Sequence, residues 1–336
     1  VVKPHPRIMA TPSDLAASPS PAGSVAPDRR RDALRAMALA LLALLIGVSV
    51  TLLLWQRARE AAREAAVQRL EYRTSRIEAE LRHLLAADDI MLRSVAGLFS
   101  VGGGITRNQW RNYFNAIEPD ARAPGRQWVA YAQRVPEAER EAHEQQARAD
   151  GLAGYAVRAS ERRAQYFPLA NFRSFGTQDR RPIGLDLQEE PTARAAMDRA
   201  VQSGATVMAG PLSVPTSTGR SLWALFVPVY GGGRTPSTPS ERQGALTGFL
   251  VEAFDVVEMA GSALGPDGTI VGMNVRDAGM PVFICPELQK ELARGWMPTL
   301  TKNVDFEFGQ RVWNIEFPAL PKFHASGPPD QSWAIL

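Results

Sequence analysis

The chain has 336 residues, 45% of them hydrophobic and 22% charged, enough to bury one large core or two smaller ones. Its formal net charge is only +3, with no run of five or more like charges, so nothing in the composition favours a nucleic-acid partner. One cysteine, Cys285, excludes an intrachain disulfide and any zinc site built on several thiolates; within Pro281-Val282-Phe283-Ile284-Cys285-Pro286 it reads as a small buried apolar residue.

Residues 1–33 are expected to be a disordered cytoplasmic tail, because the first 28 are rich in Pro, Ser and Ala and lack a periodic apolar pattern. Residues 34–55 read as a transmembrane helix. From 36 to 55 there is no charge, and Ser49 and Thr51 are the only hydroxyl residues. Twenty residues at about 1.5 Å rise cover about 30 Å, the hydrocarbon thickness. Trp55 sits where an interfacial anchor belongs. About 35 residues precede the run and Arg57 and Arg59 follow it, which favours an uncleaved anchor over a signal peptide. Arginines flank both ends; the denser cluster, Arg29, Arg30, Arg31 and Arg35, favours an N-terminus inside and the bulk of the chain outside.

Residues 56–101 form the expected stalk helix, with no Pro and no Gly before Gly97. One register runs through Val67, Leu70, Thr74, Ile77, Leu81, Leu84, Asp88, Met91, Val95 and Leu98, alternating steps of three and four. That is the seam of a coiled coil, and Val67, Leu70, Ile77, Leu81, Leu84 and Met91 are its expected contacts in a homodimer. The same stripe suits an amphipathic helix lying on its own domain. The first half of the stalk leaves the membrane with little domain beside it, which favours two stalks together. Asp88 would then face Asp88, at a cost unless a water, a shared proton or a nearby Arg satisfies it; it marks either a switchable spot or the point where the stalk docks on the domain. Gly102-Gly103-Gly104 ends the helix as cap and linker.

Beyond it the pattern changes to short strands and helices. A strand is predicted over 126–135, a helix opened by Pro136 over 136–149, strands over 155–159 and 165–170, and a helix over 191–203 opened by Pro191 and stopped by Gly204. Glu189-Glu190 precede Pro191, where acids favour a helix start rather than forming a catalytic pair. Strands follow over 206–209, 221–230, 244–254 and 269–275, the last after an Asp267-Gly268 turn. Between the second and third of these, residues 231–243 are rich in Gly, Pro, Ser and Thr and read as a mobile hairpin loop. A final hairpin over 303–308 and 311–317 turns at Gly309-Gln310. The fold class is α+β, with two antiparallel-sheet modules in series.

His5, His83, His143 and His324 show no metal-ligand spacing, and no nucleophile, Walker or dinucleotide motif appears, so no cofactor and no catalysis are expected. Tyr166-Phe167-Pro168, Trp223, Phe226, Tyr230 and Phe249 fall on adjacent predicted strands. They could line a small-molecule pocket with Arg173, Asp179 or Asp186 orienting the ligand, or be plain core.

Several stretches in order carry a resemblance: Trp128-Val129-Ala130-Tyr131-Ala132-Gln133-Arg134-Val135, Glu139-Arg140, Tyr166-Phe167-Pro168, Gly184-Leu185-Asp186-Leu187, Glu190-Pro191, Arg194-Ala195, Gly210-Pro211, Val227-Pro228-Val229-Tyr230 and Gly248-Phe249-Leu250. Together the chain resembles the CHASE domain, the extracellular sensory module of cyclases and histidine kinases, including plant cytokinin receptors. The resemblance implies a dimeric receptor in the inner (plasma) membrane with its bulk periplasmic or extracellular. It also implies two PAS-like modules, a membrane-distal ligand-binding one over 102–255 and a membrane-proximal one over 256–336. The implied pocket adds Phe172, Met208 and Ala209 to the aromatic set. Where hormone receptors of the family hold a purine with an acidic residue, Asn171-Phe172-Arg173-Ser174 is not acidic, and Arg173 suits an anion instead. Trp333-Ala334-Ile335-Leu336 is expected to open a second span leading to a kinase or cyclase output. The alternative is a membrane-anchored periplasmic protein that binds a partner or serves a structural role.

Overall fold

The computed structural model describes residues 29–101, 105–117, 124–175, 182–214, 219 and 221–325. The chain divides into a first unit ending at Arg59 and a second beginning at Glu60. The expected tail over 1–28, the glycines at 102–104, Asp179 and residues 333–336 lie outside the described residues.

Helix α1, Arg29–Val101, runs without a break through the expected span and stalk, and it begins inside the stretch read as tail. Among the described residues it is the one helix long and apolar enough to cross a membrane: an 18-residue window reaches a mean hydropathy of 2.7, and none of it is buried. The Arg59 guanidinium lies 4.2 Å from the Trp55 ring centroid, an aromatic–cation pair suited to an interface.

In the second unit the rest of α1 buries its apolar stripe within the same chain. Leu70, Ile77, Leu81, Leu85, Leu92 and Val95 are buried, and Leu84 and Met91 pack half-buried beside them; Val67 remains 41% exposed. The chain's own core thus covers the stripe expected to face a second copy. An apolar repeat of three and four residues serves a sheet as well as another helix, so periodicity alone does not separate the two. The polar exceptions are satisfied: the Thr74 hydroxyl donates to the Leu70 carbonyl at 2.8 Å, and Asp88 meets Arg126.

Helix α2, Arg107–Ile117, is absent from the sequence reading, although Thr106-Arg107-Asn108-Gln109 is a capping box. The Gln109 N–H donates to Thr106 Oγ1 at 3.3 Å and the Thr106 N–H to Gln109 Oε1 at 2.9 Å. Then come β1 (Arg126–Gln133), β2 (Val135–Pro136), a 3-10 turn over Glu137–Glu139, and α3 (Arg140–Ala149). The predicted strand over 155–159 is reduced to a single bridge, Arg158 to Leu185. The one predicted over 165–170 is split into β3 (Gln165–Tyr166) and β4 (Leu169–Ser174). The break falls at Pro168, which has no N–H to give a ladder. Helix α4, Pro191–Ser203, has the predicted bounds: Glu190 caps it by accepting from the Ala193 N–H, and Gly204 ends it at φ 71°. Next are β5 (Val207–Leu212), β6 (Leu222–Tyr230), α5 (Pro239–Ala245) and β7 (Leu246–Phe254). The loop read as mobile therefore ends in a helix that runs on to Ala245, started by a capping box between Thr238 and Glu241.

The first sheet has the order β4-β1-β7-β6-β5, all pairs antiparallel. Alternate side chains point to its two faces. Val129, Tyr131, Trp223, Leu225 and Leu250 join the core around α1, while Trp128, Ala130, Phe226, Phe249 and Val251 pack with α4. Helix α6 (Val256–Leu264), capped by Asp255, leads to β8 (Asn274–Asp277), β9 (Met280–Ile284), α7 (Pro286–Ala293), β10 (Thr301–Phe308), β11 (Arg311–Pro318) and α8 (Pro321–Ala325). Cys285 is buried, as expected, and its Sγ accepts from the Met273 N–H at 3.3 Å. The second sheet has the order β10-β11-β8-β9. At the final hairpin Gly309 and Gln310 both take positive φ, 56° and 61°, the geometry of a two-residue hairpin turn. The two sheets meet in the α1 core, with Trp223 and Trp313 5.1 Å apart edge to face. The fold is α+β with antiparallel sheets behind a long apolar helix.

Candidate functional site

The aromatic set expected to line a pocket is divided by the sheet. Met208 and Trp223 are buried on the α1 face, whereas Ala209, Phe226, Tyr230 and Phe249 are buried beneath α4. Phe172, half-buried, leans on Trp128 with ring centroids 5.6 Å apart. Arg173 stands opposite Val129, hence on the α1 face, its guanidinium 5.9 Å from the Phe175 ring centroid. Tyr166 belongs to a small third cluster with Ala147, Tyr155 and Val157, and Pro168 bridges to Asp186. Asp186 is fully buried and already engaged. It accepts from the N–H groups of Phe167 at 2.8 Å and Gln188 at 3.2 Å and from Arg163 Nη1 at 3.3 Å. Burial raises its pKa, against these bonds. These bonds pin the loop ahead of α4.

A cleft of about 560 Å³ opens elsewhere, at the edge of the first sheet. Phe99 of α1 and Tyr131 of β1 form one side, with ring centroids 4.0 Å apart and planes inclined by 32°. The Tyr131 hydroxyl donates to the Thr247 carbonyl at 3.0 Å, and burial pushes its pKa up to about 12, so it stays protonated. The ring can cross β7 there because residue 248 is glycine: a Cβ would stand 2.8 Å from the Tyr131 hydroxyl and 2.4 Å from the Ala132 carbonyl oxygen. Ile105 and Arg107 border the cleft at the start of α2, and Asn171 borders it from β4. The remaining wall is α3, with Glu139 just before it, His143 and Gln146 on it, and Asp150 just after it.

His143 Nε2 lies 2.9 Å from the Tyr155 hydroxyl, and burial lowers its pKa, which favours the neutral ring. Arg134 is held by neutral acceptors: Nε donates to Gln165 Oε1 at 2.8 Å and Nη1 to the Gln243 carbonyl at 3.2 Å. Arg107 has no hydrogen bond or ion pair to any of the described residues. The cleft thus offers an apolar side beside two cations, of which Arg134 is fixed, and neutral donors. No group of His, Cys, Asp and Glu among the described residues is placed to hold a metal ion. A second, smaller cavity of about 190 Å³ is bordered by Arg93, Gly97, Thr206, Arg234 and Tyr230, the last one of the expected pocket residues.

At the start of β1, Arg126 ties α1 to the sheet. It bonds Asp88 of α1 and, through Nε at 2.7 Å, Glu252 of β7, which is fully buried. Sequence reasoning missed the cleft because its walls come from five separate segments. Tyr131 and Arg134 nevertheless stand inside the longest stretch of the family resemblance.

The fold defines an α+β module borne on a helix apolar enough, in its first part, to cross a membrane. Comparison with family models gives a match to the CHASE domain over residues 103–282, just over half of the chain. The chain belongs to the CHASE domain family. Comparison with curated proteins finds no significant relative. The stretches that carry the resemblance fall on the first sheet and its flanks, from β1 to β7. The CHASE domain is an extracytoplasmic sensory domain of signalling receptors rather than a catalytic one.

Proposed function

We propose that this chain is the extracytoplasmic small-molecule sensor region of a membrane receptor of the histidine kinase or diguanylate cyclase type. A ligand binds in the cleft beside Phe99 and Tyr131, and its arrival is relayed through α1. The observation that carries this reading is the place of Phe99, on the cleft wall and in the same helix as the apolar span. A ligand that favours one packing of Phe99 over another biases that helix by the difference. The volume, about 560 Å³, suits a small molecule. Family membership supports the sensory role, and the pair of sheets supports two PAS-like modules, the distal one carrying the ligand.

A homodimer belongs to the same reading. Its contact is the stalk face opposite the buried stripe, where Tyr72 is 74% and Ile90 65% exposed, in line with Ala79 and His83 at helical spacing.

The test uses the full chain in lipid nanodiscs, melted with purines, amino acids and small carboxylates. A ligand of the folded form at about a hundredfold excess over Kd adds about 2.7 kcal/mol of stability. Phe99→Leu and Tyr131→Leu should remove that gain and Phe249→Leu should not. The reverse pattern would move the site beneath α4 and refute the cleft.

A further inference from the structure

We infer that the cleft takes a small amphipathic carboxylate. This rests on the cleft being the ligand site and adds the chemistry of what enters it.

The charges around the cleft differ by sign in how they are placed. Arg107 and Arg134 are half-buried, whereas Glu139 and Asp150 are exposed at the rim. Some half-buried guanidinium groups in this chain meet a carboxylate, as Arg126 meets Asp88 and Glu252, Arg163 meets Asp186 and Glu189, and Arg311 meets Asp277, while the buried Arg242 is held by backbone carbonyls. Arg134 meets no carboxylate among the described residues. Its Nε and Nη1 are fixed by Gln165 Oε1 and the carbonyls of Gln243 and Leu246, which sets the guanidinium plane while leaving Nη2 uncommitted. A cation held still and partly desolvated without a counter-charge is costly unless an anion completes it. A guanidinium edge suits the two oxygens of a carboxylate.

The rest of the ligand is set by the opposite side. Phe99, Tyr131, Ile105, Leu152 and Leu246 present rings and aliphatic carbon. A wholly polar anion would leave that side bare, and an amine would face two arginines that meet no carboxylate among the described residues. His143, kept neutral by burial, adds no third positive charge and can still hydrogen-bond.

The experiment measures binding to the full chain in nanodiscs by calorimetry at fixed ionic strength. The probes are phenylacetate and hexanoate, the uncharged phenylacetamide, and phenethylamine. Phenylacetate or hexanoate should bind, phenylacetamide at least about tenfold more weakly, and phenethylamine not measurably; tenfold corresponds to one charge-assisted hydrogen bond. Arg134→Gln and Arg107→Gln should each weaken the acid by about tenfold and leave the amide unchanged. Arg107 makes no bond among the described residues, so its variant keeps the test open if Arg134→Gln fails to fold. Equal affinity for acid and amide, with Tyr131→Leu still abolishing both, would overturn the carboxylate while leaving the cleft in place. Binding of the acid unaffected by Tyr131→Leu would overturn the cleft itself. Binding of neither acid would overturn the inference.

Discussion

At residue 252 the sheet carries a glutamate with no exposure to solvent, beside Asp88 of α1 and a single guanidinium, Arg126. Burial is the largest influence on both carboxyl groups and raises both pKa values, Glu252 well above the ordinary range, with Arg126 pulling the other way. One positive charge balances one carboxylate, so the pair retains a proton that the unfolded chain, with carboxyl pKa values of about 4, has already lost. The folded state therefore binds more protons, and stability falls as pH rises from about 4 through the raised value. Melting the full chain from about pH 5 to about pH 9 should show this decline, and Glu252→Gln should flatten it. An unchanged slope in the variant would assign the proton elsewhere. Asp88 was legible as a polar break in an apolar stripe that needed a water, a shared proton or an arginine. Which arginine was not, because Arg126 lies 38 residues further on and only the fold brings it back. The parity of Trp223 against Phe226 and Tyr230 was equally readable: odd and even strand positions face opposite ways, so one pocket could not take all three.

At the scale of elements, α1 is held by packing on its own core. Leu81 is 1% exposed within it, so Leu81→Ala should cost about 2–5 kcal/mol in denaturant melts of the full chain; a cost below about 1 kcal/mol would mean the stripe is not docked. Cysteines separate the two faces of the stalk. At Ala79 or Ile90 they should crosslink between copies, and at Leu81 they should not. Crosslinking at Leu81 alone would restore the seam between two stalks. Helices α2 and α5 escaped the sequence reading although their capping boxes were in plain view; their segments were short and polar, and no long apolar period announced them. Helix α4 was legible end to end because Pro191 and Gly204 fix both termini locally.

At the scale of the molecule, the long apolar helix, the α+β class and the family could all be read from the chain, since each rests on composition or on short motifs in order. The cleft could not, because it exists only where the end of α1, the start of α2, α3 and the edge of the sheet converge. The two faces of the first sheet are also rival sites: one holds the cleft, the other the packed aromatics beneath α4. Hydrogen exchange on the full chain in nanodiscs separates them most directly, with and without whichever purine, amino acid or carboxylate raises its melting temperature most. Ligand-dependent protection should appear at residues 95–99, 105–110, 131–134 and 140–150, reaching into α1. Protection confined to residues 191–203, 224–230 and 249–251, with α1 unchanged, would contradict both the site and the relay.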